Sequence, residues 1–164
     1  PIDATPGPPA SPDAAKSRRL FAIANGRVDD YWNKTSKGMV RGGGSESPED
    51  SLLMRADSLL NLKKYNHAIA LLEKMQPESI ALKRLAFARY KLGQHAQAIK
   101  IYEKYASLTL TPIPEEEHDW VLCLYYLADW PNHEKDFHLR MRKMLSDPNH
   151  GYHDKAKALE REMR

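Results

Sequence analysis

One cysteine, Cys123, stands in 164 residues. An intramolecular disulfide and a cysteine-based zinc cluster are therefore both excluded. It sits in the apolar run Trp120-Val121-Leu122-Cys123-Leu124-Tyr125-Tyr126-Leu127, where a thiol serves as a small buried hydrophobe. Long apolar runs are missing too: no stretch reaches the roughly 18 uninterrupted apolar residues of a membrane span. Any membrane attachment thus needs a span that this chain does not carry. Neither sign of charge dominates, with 25 basic against 22 acidic side chains and a net charge of +3. Divided at Pro48, the two parts hold 7 basic and 5 acidic, then 18 and 17. No long basic run marks a nucleic-acid partner. There is no serine-centred nucleophile elbow, and Cys123 has no neighbour that would activate a thiolate. The run Gly42-Gly43-Gly44 is followed by Ser45-Glu46, not by the lysine and hydroxyl residue of a phosphate loop, and reads as a linker. The chain opens at Pro1 with neither methionine nor signal peptide, as a processed or trimmed protein would.

Composition divides the chain into three. Residues 1–12 hold five prolines and no aromatic residue, which favours an extended tether. Residues 13–47 form an N-terminal arm. There Ser11-Pro12-Asp13-Ala14 is a helix start with proline at the first position, and Leu20, Phe21 and Ile23 give an amphipathic helix that Asn25-Gly26 is expected to end. Residues 28–40 carry Tyr31 and Trp32 but no clean period, and Arg41-Gly42-Gly43-Gly44-Ser45 reads as a flexible joint. Residues 48–164 read as a purely helical domain.

Within that domain a pattern is written twice, thirty positions apart: Ala56, Leu59, Leu62, Tyr65, Ala68, Leu72, then Ala86, Arg89, Leu92, His95, Ala98, Tyr102. A small residue in one apolar-periodic segment precedes by twelve an alanine in the next, so two antiparallel helices approach closely across a tight turn. Ser47-Pro48-Glu49-Asp50 opens the first helix with a hydroxyl cap, a proline and acids that suit the helix dipole. The expected helices are 48–63, 65–75, one from Gln76-Pro77-Glu78 to Leu92, and 95–108, with Gly93 as the left-handed turn residue. A third pair follows Thr111-Pro112-Ile113-Pro114, holding Trp120 to Leu127 and then Phe137, Met141, Met144 and Leu145 after the turn Asp129-Trp130-Pro131-Asn132. Here the pattern is eroded, since Asp136 or Phe137 replaces the close-contact alanine. A last helix with Ala156, Leu159 and Met163 on one side is the expected cap.

The stretch Tyr90-Lys91-Leu92-Gly93-Gln94-His95-Ala96-Gln97-Ala98-Ile99 resembles the tetratricopeptide repeat family, and Leu62-Lys63-Lys64-Tyr65-Asn66-His67-Ala68-Ile69 carries the same signal without the glycine. The resemblance implies an all-α fold of antiparallel helix pairs stacked as a short right-handed superhelix, with a capping helix and a concave face. It also implies a protein-binding scaffold, not an enzyme. The ending Asp147-Pro148-Asn149-His150-Gly151-Tyr152-His153-Asp154-Lys155-Ala156 looks like the close of such domains beyond a membrane span in bacterial envelope proteins, which implies a periplasmic or extracytoplasmic, membrane-tethered place, with the cytoplasm as the alternative.

Chemistry-bearing clusters read as structural. His150 and His153 are three apart with His133 and His138 nearby, but zinc needs three or four converging ligands, and no metal site or other cofactor is expected. His67 and His95 follow the two turns and read as repeat residues. Glu115-Glu116-Glu117 point three ways around a first helical turn, which suits the dipole better than acid and base catalysis. The remaining candidate is a peptide groove on the first helix of each pair: Asp50, Leu53, Asp57 and Leu60, then Lys83, Phe87, Tyr90 and Lys91, completed by Tyr126. Its aromatic residues beside cations suit a peptide with an apolar anchor and an acidic group. Leu53 and Asp57 stand where a carboxylate clamp would have lysine and asparagine. Packing between repeats is an equal alternative for Phe87 and Tyr90. The expected partner is a protein or peptide; the other reading is a homodimer formed through Phe21, Tyr31 and Trp32 of the arm.

Overall fold

The computed structural model describes residues 11–36, 48–75, 79–108 and 114–164. Among them stand eight helices and no strand: α1 (Pro12–Ser36), α2 (Pro48–Asn61), α3 (Tyr65–Leu72), α4 (Ser79–Lys91), α5 (His95–Ala106), α6 (Glu115–Ala128), α7 (Glu134–Ser146) and α8 (His153–Met163). From α2 onward each helix packs on the next, α2 also touches α4, and α1 lies on α6. The buried apolar residues of all eight helices belong to one core cluster, with half-buried residues such as Ile23, Leu53 and Met163 packed against it. The arm and the helical domain therefore share a core.

The thirty-residue pattern has a backbone counterpart. Lys63 and Gly93 both take positive φ, at 57° and 74°. Around each, two amides bond back in the same way: Lys63 N to Leu60 O (3.0 Å) and Lys64 N to Leu59 O (2.8 Å), then Gly93 N to Tyr90 O (2.9 Å) and Gln94 N to Arg89 O (3.0 Å). Both are Schellman ends, which satisfy the last carbonyls of a helix and reverse the chain. Ala56, Ala68, Ala86 and Ala98 are all 0% exposed, as residues at the closest approach of paired helices must be.

Three expectations change. Asn25-Gly26 does not end the first helix, and α1 continues to Ser36. A helical glycine costs about 1 kcal/mol, whereas burying side chains such as Val28 and Trp32 beyond it returns about 1.5–3 kcal/mol each; packing outweighs the local breaker. Helix α3 closes at Leu72, not Met75, because Lys74 and Met75 bond three residues back, to Leu71 and Leu72, in a tighter turn. Helix α5 ends at Ala106, not Leu108. The eroded third pair has its reason in α6, where every residue from His118 to Ala128 is buried. Packed by α1, α5 and α7 together, α6 has no wet face to give it a period. Of the proline-rich tether expected over residues 1–12, Pro12 already opens α1; its first ten residues, the glycine-rich joint, the Ser47 cap, the Gln76-Pro77-Glu78 signal and Thr111-Pro112-Ile113 lie outside the described residues.

Candidate functional site

The face expected to receive a peptide already holds a helix. Leu20, Ala24, Val28 and Trp32 of α1 are buried and recur every four residues, forming one ridge of the helix. The Trp32 indole stacks on Phe87 of α4, with centroids 4.0 Å apart and planes 5° from parallel, and Tyr65 meets the same Phe87 edge-on. Phe21 packs on His95 at 5.4 Å. Lys16 lies over the Trp130 ring and Arg27 over Trp120. As numbers rise along α1 from 16 to 32, the partners fall from 130 to 117 on one side and from 95 to 83 on the other. So α1 runs antiparallel to α4 and α6, between them.

Charges flank the ridge. Lys91 Nζ donates to Asn25 Oδ1 (3.0 Å) and pairs with Asp29 Oδ1 (2.9 Å). Arg27 pairs with Glu162 at 2.6 Å, and Arg19 donates to the Glu162 carbonyl. Beneath α1 lies a drier network, in which the Tyr31 hydroxyl and Lys83 Nζ both donate to Glu117 Oε1, Lys83 at 3.3 Å. Lys83 is 3% exposed and also sits over the Tyr31 ring at 4.9 Å. Burial lowers its pKa while Glu117 draws it back up. Burial, then Tyr102 and the bond to Glu117, pushes the Tyr31 phenol far up, so it stays a donor. A half-buried carboxylate that is matched only when both donors are in place penalises a helix docked in another register.

Among the expected site residues, Lys83, Phe87 and Lys91 converge on α1. Tyr90 is buried beside them, stacked on Tyr125 and against His95; Phe87 and Tyr90 thus both serve packing, Phe87 against Trp32 of α1. Asp57 is committed to Arg84 by two bonds of 2.6 Å across α2 and α4. Asp50 is exposed in the first turn of α2. Tyr126 donates to Glu103 of α5 and stacks on His133 just before α7, apart from the residues that meet α1. Tyr31 and Trp32, expected on a dimer surface of the arm, and Glu117, expected only to suit the helix dipole, also meet Lys83 and Phe87 here. A signal for the first two existed in the four-residue spacing of Leu20, Ala24, Val28 and Trp32, which crosses Gly26 without a break.

The other clusters build structure. Glu115, Glu116 and Glu117 do go three ways, to Lys143 (2.6 Å), to the Gly151 amide (3.0 Å) and to the network under α1. Asp119, fully buried, pairs with Arg140 and with Lys143 (2.7 Å) and lies 3.5 Å from His150. Burial pulls its pKa up, but the bonds from Lys143 and Arg140 hold it below the usual carboxylate value. This ties α6, α7 and the loop before α8. His153 contacts the Met144 carbonyl and His133 contacts Asp129, and no metal-binding group of three His, Cys, Asp or Glu occurs among the described residues. Burial pushes the Cys123 thiol up, away from reactivity. A cleft of about 600 Å³ between α7 and α8 is lined by Phe137, Met141, Leu145 and Met163, with the exposed Glu160–Arg164 pair at its edge. Comparisons with protein-family models, curated proteins and solved structures found no match.

Proposed function

We propose that this chain is a non-catalytic helix-recognition domain, built as a short superhelix of tetratricopeptide-like pairs, whose concave face is occupied by its own N-terminal helix. The observation that carries this reading is the docking of α1: one apolar ridge on Phe87, flanked by the Lys91–Asp29 and Arg27–Glu162 pairs. The recognised element is an amphipathic helix with an acid three residues before an aromatic anchor, and a tyrosine beside that anchor. The acidic, partly apolar peptide expected from Lys83, Phe87 and Lys91 is met in half, because Lys91 takes the acid while Lys83 is spent on Glu117.

The test replaces residues 42–44 with a protease site, nicks the folded protein there, and adds a labelled peptide of residues 11–36. Uptake of the peptide, and much weaker uptake of its Trp32→Ala form, is the expected result. A nicked α1 that never exchanges would reduce it to ordinary core and sink the recognition reading. An extracytoplasmic, membrane-tethered place belongs to the same proposal and draws on the resemblance of residues 147–156. No helix among the described residues is long and apolar enough to cross a membrane. Fractionation of cells making the natural protein tests it, and recovery from the cytoplasm alone would remove it.

A further inference from the structure

Every copy of this chain carries both the groove and the helix that fits it. Nothing in the contacts of α1 requires the two to come from one molecule: they are ring stacking, ion pairs and apolar burial by a helix whose backbone bonds are internal. The joint between them is residues 37–47, eleven residues of which four are glycine. At roughly 3.3–3.6 Å per residue such a joint reaches about 40 Å. Within one chain it has less to span. Trp32 and Asn33 adjoin Leu60 and Lys63 at the close of α2, and the chain resumes at Pro48, the opposite end of a helix about 21 Å long. The reach is about twice the need, so the joint leaves the choice between own groove and neighbouring groove to concentration.

We propose that two copies exchange α1, each concave face receiving the other's helix, so that the dimer repeats in trans every contact described above. This rests on the reading of the concave face as a helix-recognition site. It also gives the tyrosine and tryptophan of the arm a dimeric role without exposing either further, since Trp32 stays buried and Tyr31 half-buried in the exchanged state.

Two variants of the full chain make the exchange visible. The first carries Arg27→Glu and Asp29→Lys on α1; the second carries Lys91→Asp and Glu162→Arg on the surface that receives it. Alone, each chain turns two like-charge pairs toward its own α1. Mixed, the helix of either fits only the groove of the other, so four repulsive facings become four attractive ones. Exposed pairs are individually weak, but together they favour the mixed dimer by roughly tenfold or more over either variant alone. Light scattering and native mass spectrometry of the mixture, warmed briefly and cooled, should show a one-to-one two-chain species. The chain with all four changes should behave as the parent does, and the parent should give more dimer as its concentration rises.

Monomers alone in the mixture, with α1 amides still protected in both variants, would overturn the exchange and leave the groove reading intact. Unprotected α1 amides in the parent would instead overturn the groove reading itself. Should the variants fail to fold, the parent decides: deleting residues 39–46 leaves a joint of three residues, about 10 Å at most and well short of the span, which should raise the dimer fraction, and an unchanged monomer at all concentrations would refute the proposal.

Discussion

Helices α2 and α4 hold matching places in two pairs thirty residues apart, yet they bury different faces. In α2 only Ala56 and Leu60 are buried. In α4 the buried set takes in Ala81, Leu82, Ala86, Phe87, Ala88 and Tyr90, with Lys83 and Arg84 besides. Position by position, Leu53 answers to Lys83, Asp57 to Phe87, Leu60 to Tyr90 and Asn61 to Lys91. The skeleton of alanines and turns repeats, while the outward face does not, because each face is matched to what crosses it. Asp57 meets Arg84 of the next pair; Phe87 meets Trp32 of α1. Repetition sets how the helices stack, and the departures from repetition set what they hold.

The strongest way to break this contrast is Trp32→Ala, which removes the anchor from the α4 face and leaves α2 untouched. Loss of a buried aromatic of this kind costs about 3–5 kcal/mol, to be read from denaturant unfolding. Amide exchange should rise along α1 but not along α2 and α3. Equal loosening of both would mean that α1 supports the whole molecule and not one face.

On the α2 side, Asp57→Ala strands the Arg84 guanidinium, which is 4% exposed. Removing one partner of a buried pair costs about 3 kcal/mol. Replacing Arg84 by Met in the same chain should recover part of the loss, and no recovery would mean that the pair's value lies elsewhere.

The skeleton itself is probed by Ala68→Leu and Ala98→Leu. Both positions are fully buried, and overpacking costs about 1–3 kcal/mol at each. Equal melting shifts are expected of two copies of one design; an unchanged melt for either would remove it from the close contact. At the turns, Gly93→Ala should cost about 1 kcal/mol because of its positive φ. Lys63→Gly should stabilise, by less, since glycine also loosens the unfolded chain.

The smallest effect is one of pH. Burial lowers the pKa of His95 and of His118. An unfolded histidine titrates near 6.5, so as pH falls below that value the unfolded chain binds protons that the folded one does not, and stability falls with it. Chemical denaturation between pH 7.5 and 5 should show this slope. Tyr65 holds the matching place in the first pair, and His95→Tyr, which copies it, should flatten the slope; an unaltered slope would assign it to other groups.

How far the molecule was legible follows the same division. Alanine spacing and the left-handed turn residue are local signals, and they placed α2 to α5 to within three residues at each end. The Ser11 cap was readable as well, and its hydroxyl accepts from the Ala14 amide at 3.2 Å. Gly26 misled because a breaker is judged against the neighbouring residues, while the compensating burial comes from α4 and α6, far along the sequence. Lys83, Phe87 and Lys91 could be grouped because they lie three or four apart on one helix. Tyr126 could not be added to them, because its register was carried over from pairs whose alanines the third pair lacks. Glu117 is the sharpest case. Nothing in three consecutive glutamates tells which one turns inward, and the choice falls to the register of α6 under a helix more than eighty residues earlier.

The crowding of rings between the helix layers reaches further than packing. All eight tyrosines of the chain have phenols raised above their ordinary value: Tyr31, Tyr65, Tyr90, Tyr102, Tyr105, Tyr125, Tyr126 and Tyr152. Burial is the leading cause for each, and Tyr105 and Tyr152 are pushed up to about 12. A released tyrosine gives up its proton near 10. Above that point unfolding liberates protons, so rising alkalinity draws the chain open, and phenolate absorbance appears together with the loss of helix instead of ahead of it. The fold thus carries an alkaline ceiling and its own optical record of reaching it.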